Sequence, residues 1–287
     1  MGSVSTAALL HRAAPLAVVP LPPDWTGIRC IGEIWTPYTD AEAENQRAEL
    51  AWFHARGYSG ALIVWRGENP LPLAGVAREL KADGWRLLLT YGPADSADPI
   101  VPAWSDVDIA MRALLPCVDV LLTAWRGTAW PHWESLQQEM EFAEHLATIG
   151  RQIAPAMPIL GEAFVTPRRE VIIAAPECAA GLVTMNVGCE NLRPDGILGL
   201  IRPLTPAPLM VLILGPRAYW NSLDLRGSPL SADRVRESCR YLENRWQQVG
   251  YVGTITLVGD GFGTRPHLGV MKTDALTRTH WRKDGER

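Results

Sequence analysis

The chain has 287 residues, of which 47% are hydrophobic and 20% charged, with a net charge of −4. That balance excludes a disordered chain, and the acidic excess excludes a general nucleic-acid binder, which carries a basic surplus. Cys30, Cys117, Cys178, Cys189 and Cys239 form no CxxC pair, so neither a disulfide framework nor a zinc ribbon is indicated. The thiols read as reduced and buried.

Residues 1–26, "MGSVSTAALLHRAAPLAVVPLPPDWT", are apolar in places and rich in proline. His11 and Arg12 interrupt the apolar run and no positive n-region precedes it, so the segment reads as a leader and not as a secretion signal. No apolar run approaches the roughly 18 residues that a membrane span needs. The expected setting is the cytoplasm or a larger particle.

From residue 27 onward one pattern recurs: a short Val/Ile/Leu-rich run, then an amphipathic stretch, then another run. Eight candidate strands follow in order, at 28–35, 60–66, 85–91, 118–125, 157–164, 180–187, 208–215 and 252–259. A helix is expected from an Asp40 N-cap to Gly57, and others over 73–84, 133–154 and 231–250. Shorter helical segments are expected over 106–115, 167–175 ("PRREVIIAA") and 193–201.

Strands alternating with helices imply parallel pairing with both faces covered. Eight such units predict a single (β/α)8 TIM-like barrel over 27–287, preceded by the proline-rich leader 1–26. An open doubly wound sheet that binds a dinucleotide would carry a GxGxxG turn after its first strand, and none follows the first or second strand here.

In a barrel the chemistry belongs to the C-terminal strand ends. Those ends present Glu33, Trp35 and Tyr38; Trp65, Arg66 and Glu68; Tyr91; Trp125 and Arg126; Glu162; Asn186; Arg217 and Trp220; and Asp260. Flat aromatic faces suit the apolar face of a sugar ring, and interleaved carboxylates, Asn and Arg suit its hydroxyls. Trp35, Tyr38, Trp65, Arg66, Tyr91, Trp125, Arg126, Asn186, Arg217 and Trp220 are therefore the candidate substrate-binding residues. Glu33 and Glu162 lie on the first and fifth strands, which face each other across an eight-stranded ring. Two opposed carboxylates are the minimum for acid/base cleavage of a glycosidic bond. Glu162 is assigned as general acid and Glu33 as base or nucleophile, with Asp260 tuning Glu33 by like-charge proximity.

The barrel layout, the aromatic rim and the strand-end acids resemble the TIM-barrel glycoside hydrolases in general form. That resemblance implies a carbohydrate-active protein. Many such enzymes carry acids after strand four and at strand seven, whereas here those strands end "TAWRGTAW" and "LGPRAYWN". The DxxDxDxE pattern of chitinase-like barrels is absent.

Rival chemistries are weaker. The loops "GPRAYWN" and "GDGFGTR" offer Arg217, Arg265 and three glycines to a phosphate, but Asp260 opposes an anion. The six histidines show no HxH or HExxH spacing, so no metal and no cofactor are expected. A catalytically silent barrel, acting as a structural or ligand-binding module and reaching a protein partner through its termini, is the alternative from another class. The expected partner is otherwise a carbohydrate or another small molecule, with no membrane.

Overall fold

The computed structural model describes residues 19–25, 27–34, 36–37, 39–55, 57–91, 103–123, 133–165, 171–174, 180–186, 209–214 and 253–258. Nine strands are assigned: β1 (Ile28–Ile34), β2 (Gly60–Trp65), β3 (Arg86–Tyr91), β4 (Val120–Leu122), β5 (Ile159–Val165), β6 (Val171–Ala174), β7 (Ala180–Asn186), β8 (Leu209–Leu214) and β9 (Gly253–Val258). Among the described residues four α-helices accompany them: α1 (Asp40–His54), α2 (Pro70–Ala82), α3 (Trp104–Leu114) and α4 (Trp133–Ile153).

The strand order is β4-β3-β2-β1-β9-β8-β7-β5-β6, with a further β4–β5 pairing. That pairing closes a ring of eight parallel strands, β1, β2, β3, β4, β5, β7, β8 and β9. The chain is thus a TIM-type barrel. Each ring strand coincides with one of the eight apolar runs, because strands buried on both faces read as continuous Val/Ile/Leu segments.

The core has two layers. Inside the ring, Ile28, Cys30, Leu62, Val64, Leu88, Val120, Leu122 and Leu160 form one cluster. Outside it, Ile31, Ile34, Ile63, Leu87, Leu89, Leu121 and Ile159 pack against α1–α4 through residues such as Phe53, Leu73, Met111 and Leu146. In β1–β5 the described residues therefore divide between the two layers, as the pleat requires. Packing is tightest where glycine lets elements approach. A Cβ at Gly60 would collide with Cys30 Sγ and Ile28 inside the ring, and one at Gly150 of α4 would lie 2.8 Å from Leu121 Cδ2.

The N-terminal end of the ring is plugged. A 3₁₀ turn at Pro23–Trp25 sets the Trp25 indole, 1% exposed, against the inner cluster, and Leu21 packs there too. Asp24 pairs with Arg86 at the start of β3. Leu21 and Trp25, which fall in the proline-rich segment read from sequence as a leader, thus pack on the inner cluster.

Helix ends follow local chemistry. Thr39, not Asp40, caps α1: its Oγ1 accepts from Glu42 N–H (3.2 Å) and Glu42 Oε2 accepts from Thr39 N–H (3.1 Å). This T-x-x-E capping box satisfies two N–H groups at once. Asn69 Oδ1 caps α2 through Leu71 N–H, with Pro70 at the first helical position. Residues 104–114 form α3, extending the short helix expected over 106–115.

One expected helix is a strand. Within "PRREVIIAA", Val171–Ala174 forms β6, antiparallel to β5. The β-branched run Val171-Ile172-Ile173 suits a pleated strand better than a helix. The helices expected over 193–201 and 231–250 lie outside the described residues.

Candidate functional site

Two irregularities interrupt the ring, and both fall at predicted acids. In β1, Ile31 pairs with Ala61 and Ile34 with Ile63. Three steps on β1 thus match two on β2. Gly32 and Glu33 together stand opposite Leu62, an inner-layer residue. This is a β-bulge, a device that re-aims a residue and recurs beside active sites. Glu33 is next to the last residue of β1, at the C-terminal end of the ring.

In β5, Glu162 and Ala163 pair with Leu182 and Val183 of β7 on one edge, and with Ala174 and Ile173 of β6 on the other. That second edge is the one β4 occupies lower down, at Ile159 and Leu160. The β4–β5 ladder stops at Thr123, whose N–H (3.0 Å) and Oγ1 (3.2 Å) both donate to Leu160 O. Above that point β6 takes the place of β4. Position 162 shares the inner face of β5 with Leu160 and has a paired neighbour on both edges. Glu33 and Glu162 therefore occupy strands four apart in the ring. The side chains of Glu33, Glu162 and Asn186 are outside the described set; position 186 ends β7, paired with Leu214.

The aromatic residues of β2 and β3 do not line the opening. Trp65 is 1% exposed and belongs to the outer core. Its Nε1 donates to Glu68 O at 2.8 Å. Tyr91 pairs in register with Trp65 and packs on the same outer layer. The ring centroids run outward, with Trp65–Tyr91 at 5.5 Å, Tyr91–Phe142 at 4.8 Å and Phe142–Trp104 at 6.0 Å. Trp104 sits 4.4 Å from the ring of His145, whose Nε2 is 3.0 Å from Asp108 Oδ1. The expected sugar-binding roles of Trp65 and Tyr91 are corrected accordingly. Odd-numbered positions of β2 and β3 face the helices, so their aromatics brace α3 and α4.

The turn after β2 holds the strand-end acid Glu68. Glu68 Oε2 accepts from Arg66 N–H at 2.9 Å, across Gly67 at φ 96°. Burial, and then the adjacent charge of Glu68, push the Tyr91 hydroxyl up to about 12. Burial also pushes the Cys30 thiol well above its ordinary range, which suits an inert core residue. Trp35, Tyr38, Trp125, Arg126, Arg217, Trp220 and Asp260 lie outside the described residues. Among the described residues, no group of three or more His, Cys, Asp or Glu is arranged to hold a metal ion, and no helix is long and apolar enough to cross a membrane.

No protein-family profile matches the chain, and no curated protein matches it. Solved barrels do. A β-glucuronidase of Bacteroides uniformis is similar at 11% identity and a TM-score of 0.50, over 82% of this chain and 30% of that one. A D-allulose 3-epimerase from Methylomonas sp. is similar at 14% identity and 0.46, over 84% and 85% of the two chains. An N-acetylneuraminate lyase from Mycoplasma synoviae is similar at 9% identity and 0.44, over 84% and 71%. At these identities the likeness concerns the fold alone.

Proposed function

We propose that this barrel is carbohydrate-active, a divergent glycoside hydrolase whose two principal carboxylates are Glu33 and Glu162. One observation carries the reading. The acids stand on opposite strands of a closed ring, toward its C-terminal end, and each sits where the ring departs from regularity. Such departures are retained at functional sites and corrected elsewhere.

In this reading Glu162 protonates the leaving-group oxygen. Both edges of β5 are paired there, so the backbone that carries the acid is held on each side. Glu33, on the bulge, acts as base or nucleophile from the facing wall. Asp260, which follows β9 in the chain, raises the proton affinity of Glu33 by like-charge proximity. Arg66 and Asn186, at the ends of β2 and β7, bind substrate hydroxyls. Trp35, Tyr38, Trp125, Arg126, Arg217 and Trp220 complete the rim.

The test is turnover of a panel of p-nitrophenyl and alkyl glycosides by wild type, Glu162→Gln and Glu33→Gln. Loss of a general acid lowers the rate by about 10²–10⁴-fold. For Glu162→Gln the loss should be larger on alkyl glycosides, because p-nitrophenolate leaves with little need of a proton. Equal turnover in all three proteins, or none in any, refutes the hydrolase.

A further inference from the structure

The described strands hold three aromatic residues: Trp65 ends β2, Tyr91 ends β3 and Phe164 is next to last in β5. The first two belong to the outer layer, against the helices. Phe164 has the opposite parity. Leu160 belongs to the inner cluster, so positions 162 and 164, two and four residues further on, share the inner face of β5. Among the described strands Phe164 is thus the one aromatic residue placed on the inside of the ring.

Its level along β5 matters as much as its face. Position 164 stands one pleat beyond Glu162, roughly 7 Å nearer the C-terminal end of the ring, where TIM-type barrels bind their ligands. The β5–β7 ladder is paired as far as Ala163 and Val183. The last two residues of β5 are paired by β6, Phe164 with Ile172 and Val165 with Val171. Residues directly opposite each other in an antiparallel ladder share a face. Phe164 and Ile172 are therefore an aromatic and a β-branched position side by side on the inner face, with Glu162 and Ala174 as the next such pair below. By this level β4 has ended, at Leu122, and β6 carries the wall of the barrel past the acid.

The other neighbour of β5 differs in kind. Leu182 of β7 pairs with Glu162, so Thr184 and Asn186 share that inner face at higher levels. Beyond Glu162 the wall thus changes from apolar positions on β5 and β6 to polar positions on β7. A sugar ring has the same division, an apolar face bordered by hydroxyls.

We infer that Phe164 is the aromatic platform of the proposed carbohydrate site, on which the sugar ring attacked at Glu162 stacks, with Thr184 and Asn186 hydrogen-bonding its hydroxyls. The inference rests on the carbohydrate reading and gives Phe164 the stacking role expected of Trp65 and Tyr91.

The experiment is isothermal titration of wild type, Phe164→Leu and Phe164→Tyr with the methyl α- and β-pyranosides of D-glucose, D-galactose, D-mannose and N-acetyl-D-glucosamine, with circular dichroism to check the fold. Leucine keeps an apolar residue and removes the flat face; tyrosine keeps the ring. A glycoside that binds wild type should bind Phe164→Leu about 10-fold more weakly and Phe164→Tyr within about threefold of wild type. Weakening by leucine of less than about threefold overturns the inference and leaves the carbohydrate reading standing. Equal weakening by leucine and tyrosine also overturns it, because packing and not the flat face would then matter. So does a Phe164→Leu chain that fails to fold, since core packing would account for the residue. If no glycoside binds wild type, the carbohydrate reading falls and this inference with it. Glycoside turnover judges the hydrolase separately: a protein that binds sugar through Phe164 and cleaves nothing keeps this inference and loses that one.

Discussion

Truncating Trp25 to alanine tests whether the N-terminal segment belongs to the barrel. The indole is 1% exposed and fills the base of the inner cluster beside Ile28, Cys30 and Leu62. Removing a fully buried Trp costs about 3–5 kcal/mol, the transfer of its surface plus the cavity left behind. At about 2–4 °C per kcal/mol for a chain of this size, Trp25→Ala should lower the melting temperature by roughly 10 °C. Two controls share its neighbourhood or its chemistry. Asp24→Asn removes an ion pair whose side chains are 49% and 40% exposed, so solvent screening leaves an effect of about 0.5 kcal/mol or less. Trp104→Ala removes an indole that is 44% exposed, stacked on Phe142 and tilted against His145, and should cost about 1 kcal/mol. Circular dichroism melts and urea titrations of the three variants provide the assay. A Trp25→Ala loss below about 1 kcal/mol, or one no larger than that of Trp104→Ala, would refute the reasoning, because the ring would then be closed without its plug.

Two further outcomes are expected. Tyr91 titrates near 12 in the fold against an ordinary 10.0, so the folded state keeps a proton that the unfolded state has lost; this stabilisation is complete below pH 10 and disappears as pH rises through 12. Tyr91→Phe keeps the ring contacts and should flatten that part of the alkaline stability profile, measured by urea unfolding on either side of pH 10, and an unchanged slope would count against the assignment. Deleting Gly32 restores a two-for-two register between β1 and β2, so the variant should fold with a melting temperature within about 2 °C of wild type yet lose glycoside turnover as Glu33→Gln does. A folded deletion variant with full turnover would show that the bulge has no part in the chemistry.

The ring was legible in the sequence because β2 and β3 are buried on both faces and, like β8 and β9, read as unbroken runs such as "ALIVW" and "LMVLIL". Its details were less so. The run 118–125 suggested a strand of eight residues, whereas β4 spans Val120–Leu122, because β6 claims the upper edge of β5. Burial explains the apolar character of "VIIA" equally well in a helix or a strand, and only the β-branching of Val171, Ile172 and Ile173 pointed to the latter. Trp65 was misassigned for a different reason. An aromatic at a strand end advertises a rim, but its face is set by parity along the strand, and Trp65 shares the parity of Ala61 and Ile63. The bulge at Gly32–Glu33 left no mark beyond the glycine. Glu68 was visible as a strand-end acid, yet its orphan oxygen depends on the turn geometry around Gly67.

The two ends of the barrel solve different problems. At the N-terminal end the register is regular, Trp25 seals the interior and Asp24 and Arg86 pair at the rim. At the C-terminal end β1 is bulged, β4 gives way to β6 beside Glu162, and Thr36 and Glu68 bury oxygens that lack donors. Each of these features works against stability. A bulge interrupts ladder hydrogen bonds, and an unmet acceptor costs the fold about 1–3 kcal/mol. Misfit of the sequence to the fold would scatter such costs over both ends. The bulge of β1 and the change of edge partner on β5 both stand toward the strand termini where barrels bind ligands, the pattern expected when stability has been yielded to a binding surface.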